Sequence, residues 1–161
     1  MTVRGRAWTA AAAAALCIAL LGGLATEIGP WYQALKQPAW KPPDWAFGPA
    51  WTIIYACSAL GGVKAWLAGD AAGRRAVVLA FAINGVLNVV WSLLFFRLHR
   101  PDWALMEVGL LWLSVLALVI VCGRRSREAG LWLLPYLVWV AFAATLNAAV
   151  VQLNGPFGPA A

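Results

Sequence analysis

The sequence predicts an all-α integral membrane protein: a single domain over residues 1–161, built as a bundle of five transmembrane helices. Three observations lead there. The chain is 63% hydrophobic and 11% charged, whereas soluble domains carry roughly 25% charged residues. Apolar runs occupy about residues 7–26, 44–67, 75–97, 102–123 and 130–153, each near the roughly 20 residues that cross a bilayer as a helix. The bases collect in the short connections between these runs, where topology signals belong. That distribution, more than the net charge of +6, argues against a nucleic-acid partner, which would want a basic stripe on one face.

The first run, residues 7–26, follows Arg4 and Arg6 and is rich in alanine. With Gly23-Leu24-Ala25 it resembles a signal peptide, but its apolar core exceeds the roughly 7–15 residues of a signal h-region. Ala7, Ala11, Ala15, Ala19 and Gly23 recur every fourth position and form a narrow stripe suited to close helix packing.

Residues 27–43 make a stiff lid. Between Pro30 and Trp51 stand Trp31, Trp40, Trp45 and Trp51, together with Pro38, Pro42, Pro43 and Pro49. A solvated loop has little use for so many large aromatics. Rings with one polar edge favour the water–lipid boundary, and prolines hold the chain extended.

The second and fourth runs begin at acids behind prolines. Asp44 follows Pro42-Pro43 and Asp102 follows Pro101, so both are expected to cap helices. Gly69 and Gly73 mark the second connection, and Gly123 and Gly130 flank the fourth. Short connections favour antiparallel neighbours. One side of the membrane then holds Arg4, Arg6, Lys64, Arg74, Arg75, Arg124, Arg125 and Arg127. The other holds Lys36, Lys41, Arg97 and Arg100. The positive-inside rule puts the N-terminus in the cytoplasm, and the lid and C-terminus outside.

Few groups inside the runs carry chemistry. Asn84 and Asn88 share a face of the third helix, with Trp91 near it. Trp51 and Tyr55 are one turn apart on the second; Trp139, Ala143, Leu146 and Asn147 follow helical spacing on the fifth. Trp51, Tyr55, Asn88, Trp91 and Asn147 fall in the lid half of their helices, and Trp139 near the middle. Converging faces would make an apolar, aromatic cavity under the lid. The same spacing equally serves helix packing or a lipid-facing belt, and membrane asparagines often bond neighbouring helices. Glu107 is expected at the interface near its helix start, with an intramembrane functional acid as the alternative. His99, in a basic turn, is expected to be solvated, with a single axial haem ligand as the alternative. Cys17, Cys57 and Cys122 form no CxxC, so no metal site is expected. No GxSxG, HExxH or P-loop occurs.

Three segments carry a resemblance. WYQALKQPAWKPPDWAFGPAWTIIY, NGVLNVVWSLLFF and LLPYLVWVAFAATLNAAVVQLN, in that order and spacing, resemble the TspO/MBR translocator protein family, the tryptophan-rich sensory proteins and peripheral-type benzodiazepine receptors. The resemblance covers nearly the whole chain. It implies a homodimeric five-helix bundle in a bacterial cell membrane, with the outer membrane as the alternative. It also implies a pocket under the first loop for protoporphyrin IX or haem, and for benzodiazepine-type drugs, with no required cofactor. The implied ligand-binding positions are Trp31, Tyr32, Pro42 and Pro43, then Trp51 and Tyr55, Asn88 and Trp91, and Trp139, Ala143 and Leu146.

Some positions depart from the family pattern. Asn84 stands where many members carry Gln, and Gln37 where many carry Lys. Ala148 and Gln152 replace the Tyr and base of the cholesterol motif proposed for animal members. The implied function is a tetrapyrrole receptor or transporter linked to porphyrin or stress response. The alternative is an enzyme promoting light- and oxygen-dependent porphyrin breakdown, with Trp51 and Trp139 as its catalytic residues. A third reading is a structural partner whose pocket is only packing. The dimer contact is expected on the third helix, around Ala76, Ala80 and Gly85.

Overall fold

A computed structural model describes residues 2–158. The chain runs α1 (Val3–Ala25), the short α2 (Pro30–Ala34), α3 (Phe47–Ala68) behind a 3-10 turn at Asp44–Ala46, α4 (Ala71–Ser92), α5 (Pro101–Gly123), the short α6 (Arg127–Leu131) and α7 (Leu134–Asn154). Five helical stretches are long and apolar enough to span a membrane: Val3–Ala25, Asp44–Ala68, Ala71–Arg97, Pro101–Gly123 and Arg127–Asn154. The protein is an integral, multi-pass membrane protein, and the expected runs match these stretches to within a few residues.

The centre of the bundle is α5. Val115, Leu118 and Cys122 on it are fully buried. Towards the lid its Ala104 joins Phe95 and Val150; at mid-depth Val108 and Leu111 meet Ile54 and Val140; at the far end Leu118 and Cys122 meet Val77 and Leu133. The outer surface stays apolar: Met106, Val86 and Val138 are exposed at 79%, 63% and 68%. Lipid tails accept these side chains, so the bundle is held by close packing and internal hydrogen bonds more than by hydrophobic exclusion.

Close packing has visible causes. A Cβ on Gly130 would stand 2.9 Å from Gly123 Cα, so two bare backbones let α6 fold against α5. A Cβ on Gly85 would stand 2.8 Å from Ile18 Cδ1. Gly85 therefore receives α1 and does not face outward, and Ala80 packs against the Val77–Leu118 cluster. Both corrections follow from α4 being flanked by α1, α3 and α5. The alanine stripe of α1 faces the bundle at Ala7, Ala11, Ala15 and Ala19, but its last member is the buried Gly22, with Gly23 exposed.

Helix starts differ from expectation. Asp44 makes no capping bond: Lys41 Nζ and Tyr32 Oη both donate to its Oδ1. Asp102 lies inside α5 and pairs with Arg100, so it does not cap either. In each case the cap position falls earlier, at Pro43 and at Arg100, and the carboxylate inside the first turn takes a neighbouring cation or hydroxyl as partner. The acid that does cap is Asp70, accepting from Gly73 N at 2.8 Å. Gly73 accordingly lies within α4, not in the connection.

Candidate functional site

The lid is tied down at both ends. At its start, Arg97 pairs with Glu27 at 2.9 Å and donates to the Leu24 carbonyl at 2.6 Å, satisfying the end of α1. In the middle, Lys36 N donates to Asn154 Oδ1 at 2.7 Å, and Asn154 Nδ2 returns a bond to Lys36 O at 2.9 Å. Beyond Pro38, Trp40 packs edge-on to Phe142 of α7 with ring centroids 5.9 Å apart. The lid thus descends beside α7, and Phe47 at the start of α3 meets Trp139 at 5.7 Å. Helical spacing puts Trp139 near mid-membrane, and this descent brings the first turns of α3 down to it.

Beneath the lid lies a cavity of about 550 Å³. Its aromatic wall is continuous. Trp51 stacks on Tyr55 at 5.4 Å and meets Trp139 edge-on at 6.4 Å. On the facing side Trp91 stacks on Phe95 at 5.3 Å, and Phe96 tilts against Tyr32 at 5.7 Å. Phe95 and Phe96 reach this wall through a π turn at Leu93–Arg97 that continues α4. An extra residue in a helical turn changes which side chains face inward, and such turns often sit at functional sites.

The floor, lined by Asn88 and Asn147, is polar and nearly saturated, and the network behind Asn88 runs through Tyr136 and Asn84, which do not line this cavity. Asn88 Nδ2 donates to Tyr136 Oη at 3.1 Å, and that hydroxyl donates to Asn84 Oδ1 at 3.2 Å. Asn84 Nδ2 donates in turn to Ser114 Oγ at 2.9 Å, and Ser114 to the Leu111 carbonyl at 2.6 Å. Alongside, Trp91 Nε1 donates to Asn147 Oδ1 at 3.3 Å, and Asn147 Nδ2 to the Pro101 carbonyl at 2.9 Å. Buried amides with all partners in place rigidify a site. One donor breaks the pattern: the buried Nε2 of Gln37, lining the cavity from the lid, has no partner.

The lid's edge carries charge. Tyr32 Oη donates to Asp44 at 3.3 Å, and Lys41 Nζ sits 5.5 Å over the Tyr32 ring. Burial raises Tyr32 above the ordinary phenol value, and the Lys41 ammonium only partly offsets it. For Lys41 the largest influence is also burial, which lowers its pKa, but hydrogen bonds to Asp44 and Tyr32 outweigh it and the net shift is upward.

Of the eleven positions expected to bind ligand, Tyr32, Trp51, Tyr55, Asn88, Trp91, Trp139, Ala143 and Leu146 line this cavity. Trp31, Pro42 and Pro43 do not. Trp31 lies behind the wall, edge-on to Phe95 at 6.1 Å and stacked on His99 at 4.1 Å. His99 is exposed, as expected, but is held by that stack in a left-handed turn with φ 52°. The prolines shape the descent of the lid. Glu107 also differs from expectation. It faces the bundle at 8% exposure, between buried Ala104 and Leu111, and neither carboxylate oxygen has a partner. Cys17, Cys57 and Cys122 are free thiols, and no metal-binding cluster of three side chains occurs among the described residues.

The TspO/MBR family profile matches residues 10–153. The chain belongs to the TspO/MBR family. It is 39% identical over 127 residues to the tryptophan-rich protein TspO of Chlorobaculum tepidum, covering 77% of this chain and 79% of that protein. The human translocator protein is 34% identical over 126 residues, covering 77% of this chain and 75% of the human one. The tryptophan-rich sensory protein of Cereibacter sphaeroides is 32% identical over 124 residues, with 77% of each chain covered. Membership supports a membrane translocator-like role.

Several wall residues of this TspO/MBR protein escaped the sequence reading. Phe95 and Phe96 depend on the π turn, which no sequence pattern announced. Gly22 and Thr26 enter the wall only because α1 closes one side of the cavity. Phe47 was legible in principle, one turn before Trp51 on the same helix.

Proposed function

We propose that the lid-end cavity binds a flat tetrapyrrole, protoporphyrin IX or haem, and that the protein serves as a receptor or transporter for it. The single observation that carries this reading is the edge-to-face pair of Trp51 and Trp139, 6.4 Å apart in one cavity wall. Such a corner stacks one ring on a macrocycle face and offers the other to its edge. The volume, about 550 Å³, lies within the roughly 300–1,000 Å³ of small-molecule sites. The lining holds no histidine, cysteine or methionine for haem iron, and of its two phenols Tyr32 is bonded to Asp44 and Tyr55 stacks on Trp51, so we take recognition to run through the ring face. The unpartnered, buried Gln37 amide on the lid side is a ready donor for a propionate oxygen. Benzodiazepine-type drugs would use the same aromatic wall. Titration of the purified protein with protoporphyrin IX, followed by tryptophan quenching, should saturate at one site per chain; a linear, unsaturable response would refute the reading.

A second reading draws on the same pair. Trp51 and Trp139 would both touch a bound pigment, so illumination in air would make them its nearest oxidisable neighbours. Loss of light-driven porphyrin breakdown in Trp51→Phe/Trp139→Phe, with binding retained, would favour an enzyme.

For topology we infer a cytoplasmic N-terminus and an outer lid, from the eight-to-four division of bases named above. In a variant freed of native cysteines, Ala39→Cys and Ala72→Cys, both at exposed positions, should label from opposite sides. Labelling of both from one side would reject the orientation. A homodimer is part of the same proposal, with the exposed apolar face of α4 at Leu79, Ile83 and Val86 as its contact. Leu79→Arg should release monomers in lipid.

A further inference from the structure

We propose that a second cavity, at the N-terminal end of the bundle, binds a long-chain fatty acid and prefers one hydroxylated near mid-chain. This cavity measures about 900 Å³ and lies between α1, α3 and α4. It exists because the α1 face turned to the bundle is alanine: Ala7, Ala11 and Ala14 are too short to reach Phe81 and Val77 across the gap. Its walls are apolar along most of their length, which suits an alkyl chain.

Charge is confined to one end. Arg6 and Arg74 line the mouth, and among the described residues neither forms an ion pair, although Lys64, Arg97, Arg100 and Arg125 all do. Arg74 is held by its own Nε, which donates to the Trp66 carbonyl at 3.2 Å, and by stacking over the Trp66 ring at 4.4 Å. Its remaining N–H groups are free for an anion. Two guanidinium groups at the head of an apolar slot match a carboxylate on a single chain. A diacyl phospholipid would have to seat two chains in a slot walled on three sides.

The second observation lies deeper. Ser58 lines the cavity at 9% exposure, and its buried hydroxyl has no partner. Helical serines usually bond a carbonyl one turn back, so an orphaned one is uncommon. Ser58 stands two turns below Trp66 on α3, roughly 12 Å at 1.5 Å per residue, about where a mid-chain oxygen falls when the carboxylate sits at Arg74. An oxygen on the chain would satisfy a group that an unmodified chain leaves unbonded.

The test uses the full chain in lipid nanodiscs, with radiolabelled stearate, mid-chain hydroxystearate and the hydroxystearate methyl ester as probes. Hydroxystearate should bind saturably and about tenfold tighter than stearate. Ser58→Ala should bring the two to the same affinity without weakening stearate. Arg6→Gln and Arg74→Gln should each weaken both acids about tenfold, and the ester should bind as poorly as the acids do to the double variant. Ala59→Phe should close the slot and abolish binding; Ala14→Leu does the same from α1 if the first variant proves unstable. None of these residues lines the lid-end cavity, which shares only Tyr55 with this one, so the substitutions report on this cavity and not on what the other holds. Equal binding of acid and ester, or binding unchanged by Ala59→Phe and Ala14→Leu, would overturn the proposal. Equal affinity for stearate and hydroxystearate in the native chain would overturn the role of Ser58.

Discussion

Lys36 and Asn154, 118 positions apart, exchange two hydrogen bonds through the Lys36 backbone and the Asn154 amide. One side chain at the end of α7 thereby fixes the middle of the lid. A lid held through backbone groups is insensitive to the side chain at position 36, which is exposed. Asn154→Ala should therefore free the lid where Lys36→Ala does not. Each lost bond is worth about 0.5–1.5 kcal/mol. Amide exchange at Lys36 should accelerate, and any ligand under the lid should dissociate faster. Unchanged exchange would show that Trp40 on Phe142 and Arg97 on Glu27 suffice.

A second prediction concerns the polar floor. Tyr136 is 4% exposed, and its hydroxyl bridges Asn84 and Asn88. Tyr136→Phe keeps the ring but strands a buried carbonyl and a buried N–H, at about 1–3 kcal/mol. Unfolding in detergent should show that loss, whereas Trp132→Phe, at a position 36% exposed, should sit near the native value. Equal stability of the two variants would mean that water enters the floor.

The aromatic corner gives a third. If a porphyrin stacks between Trp51 and Trp139, Trp139→Ala should weaken binding by at least about 2 kcal/mol, as buried aromatic anchors do. Trp132→Ala, near the start of the same transmembrane stretch and outside the cavity lining, should change binding little. Equal losses in two folded variants would place the ligand elsewhere.

The fourth concerns alkaline pH. Lys41 and Tyr32 both have raised folded-state pKa values, Lys41 because hydrogen bonds to Asp44 and Tyr32 outweigh burial, Tyr32 because of burial. A raised pKa favours the protonated form on folding, so its contribution is complete below the ordinary value and is lost as pH climbs through the folded one. Relative to the base-catalysed rate of a free peptide, which itself climbs with pH, lid exchange should be flat from neutral to mildly alkaline pH and rise above about pH 10. In Asp44→Asn the rise should begin at lower pH. A change centred near pH 6 would point to a group outside this trio.

Sequence by itself determined the class, the five spans and part of the cavity's wall. The reason is physical: lipid demands about 20 apolar residues per crossing and internally bonded backbone, so composition alone marks each helix. Helical spacing then puts Trp51 with Tyr55, and Trp139 with Ala143, on common faces. The tertiary structure decided what depends on neighbours. Asp44 and Asp102 read as caps, but Lys41 and Arg100 claim their carboxylates. Gly85 reads as part of an outward face, but Ile18 of α1 packs against it. Phe95 and Phe96 face the cavity because a π turn shifts their phase. Trp31 lies behind the wall because Phe95 and His99 hold it there. The cavity at the N-terminal end was legible only as an alanine stripe, since an empty space belongs to no residue. It arises where short side chains on α1 face α3 and α4 across a gap that the helix crossings hold open.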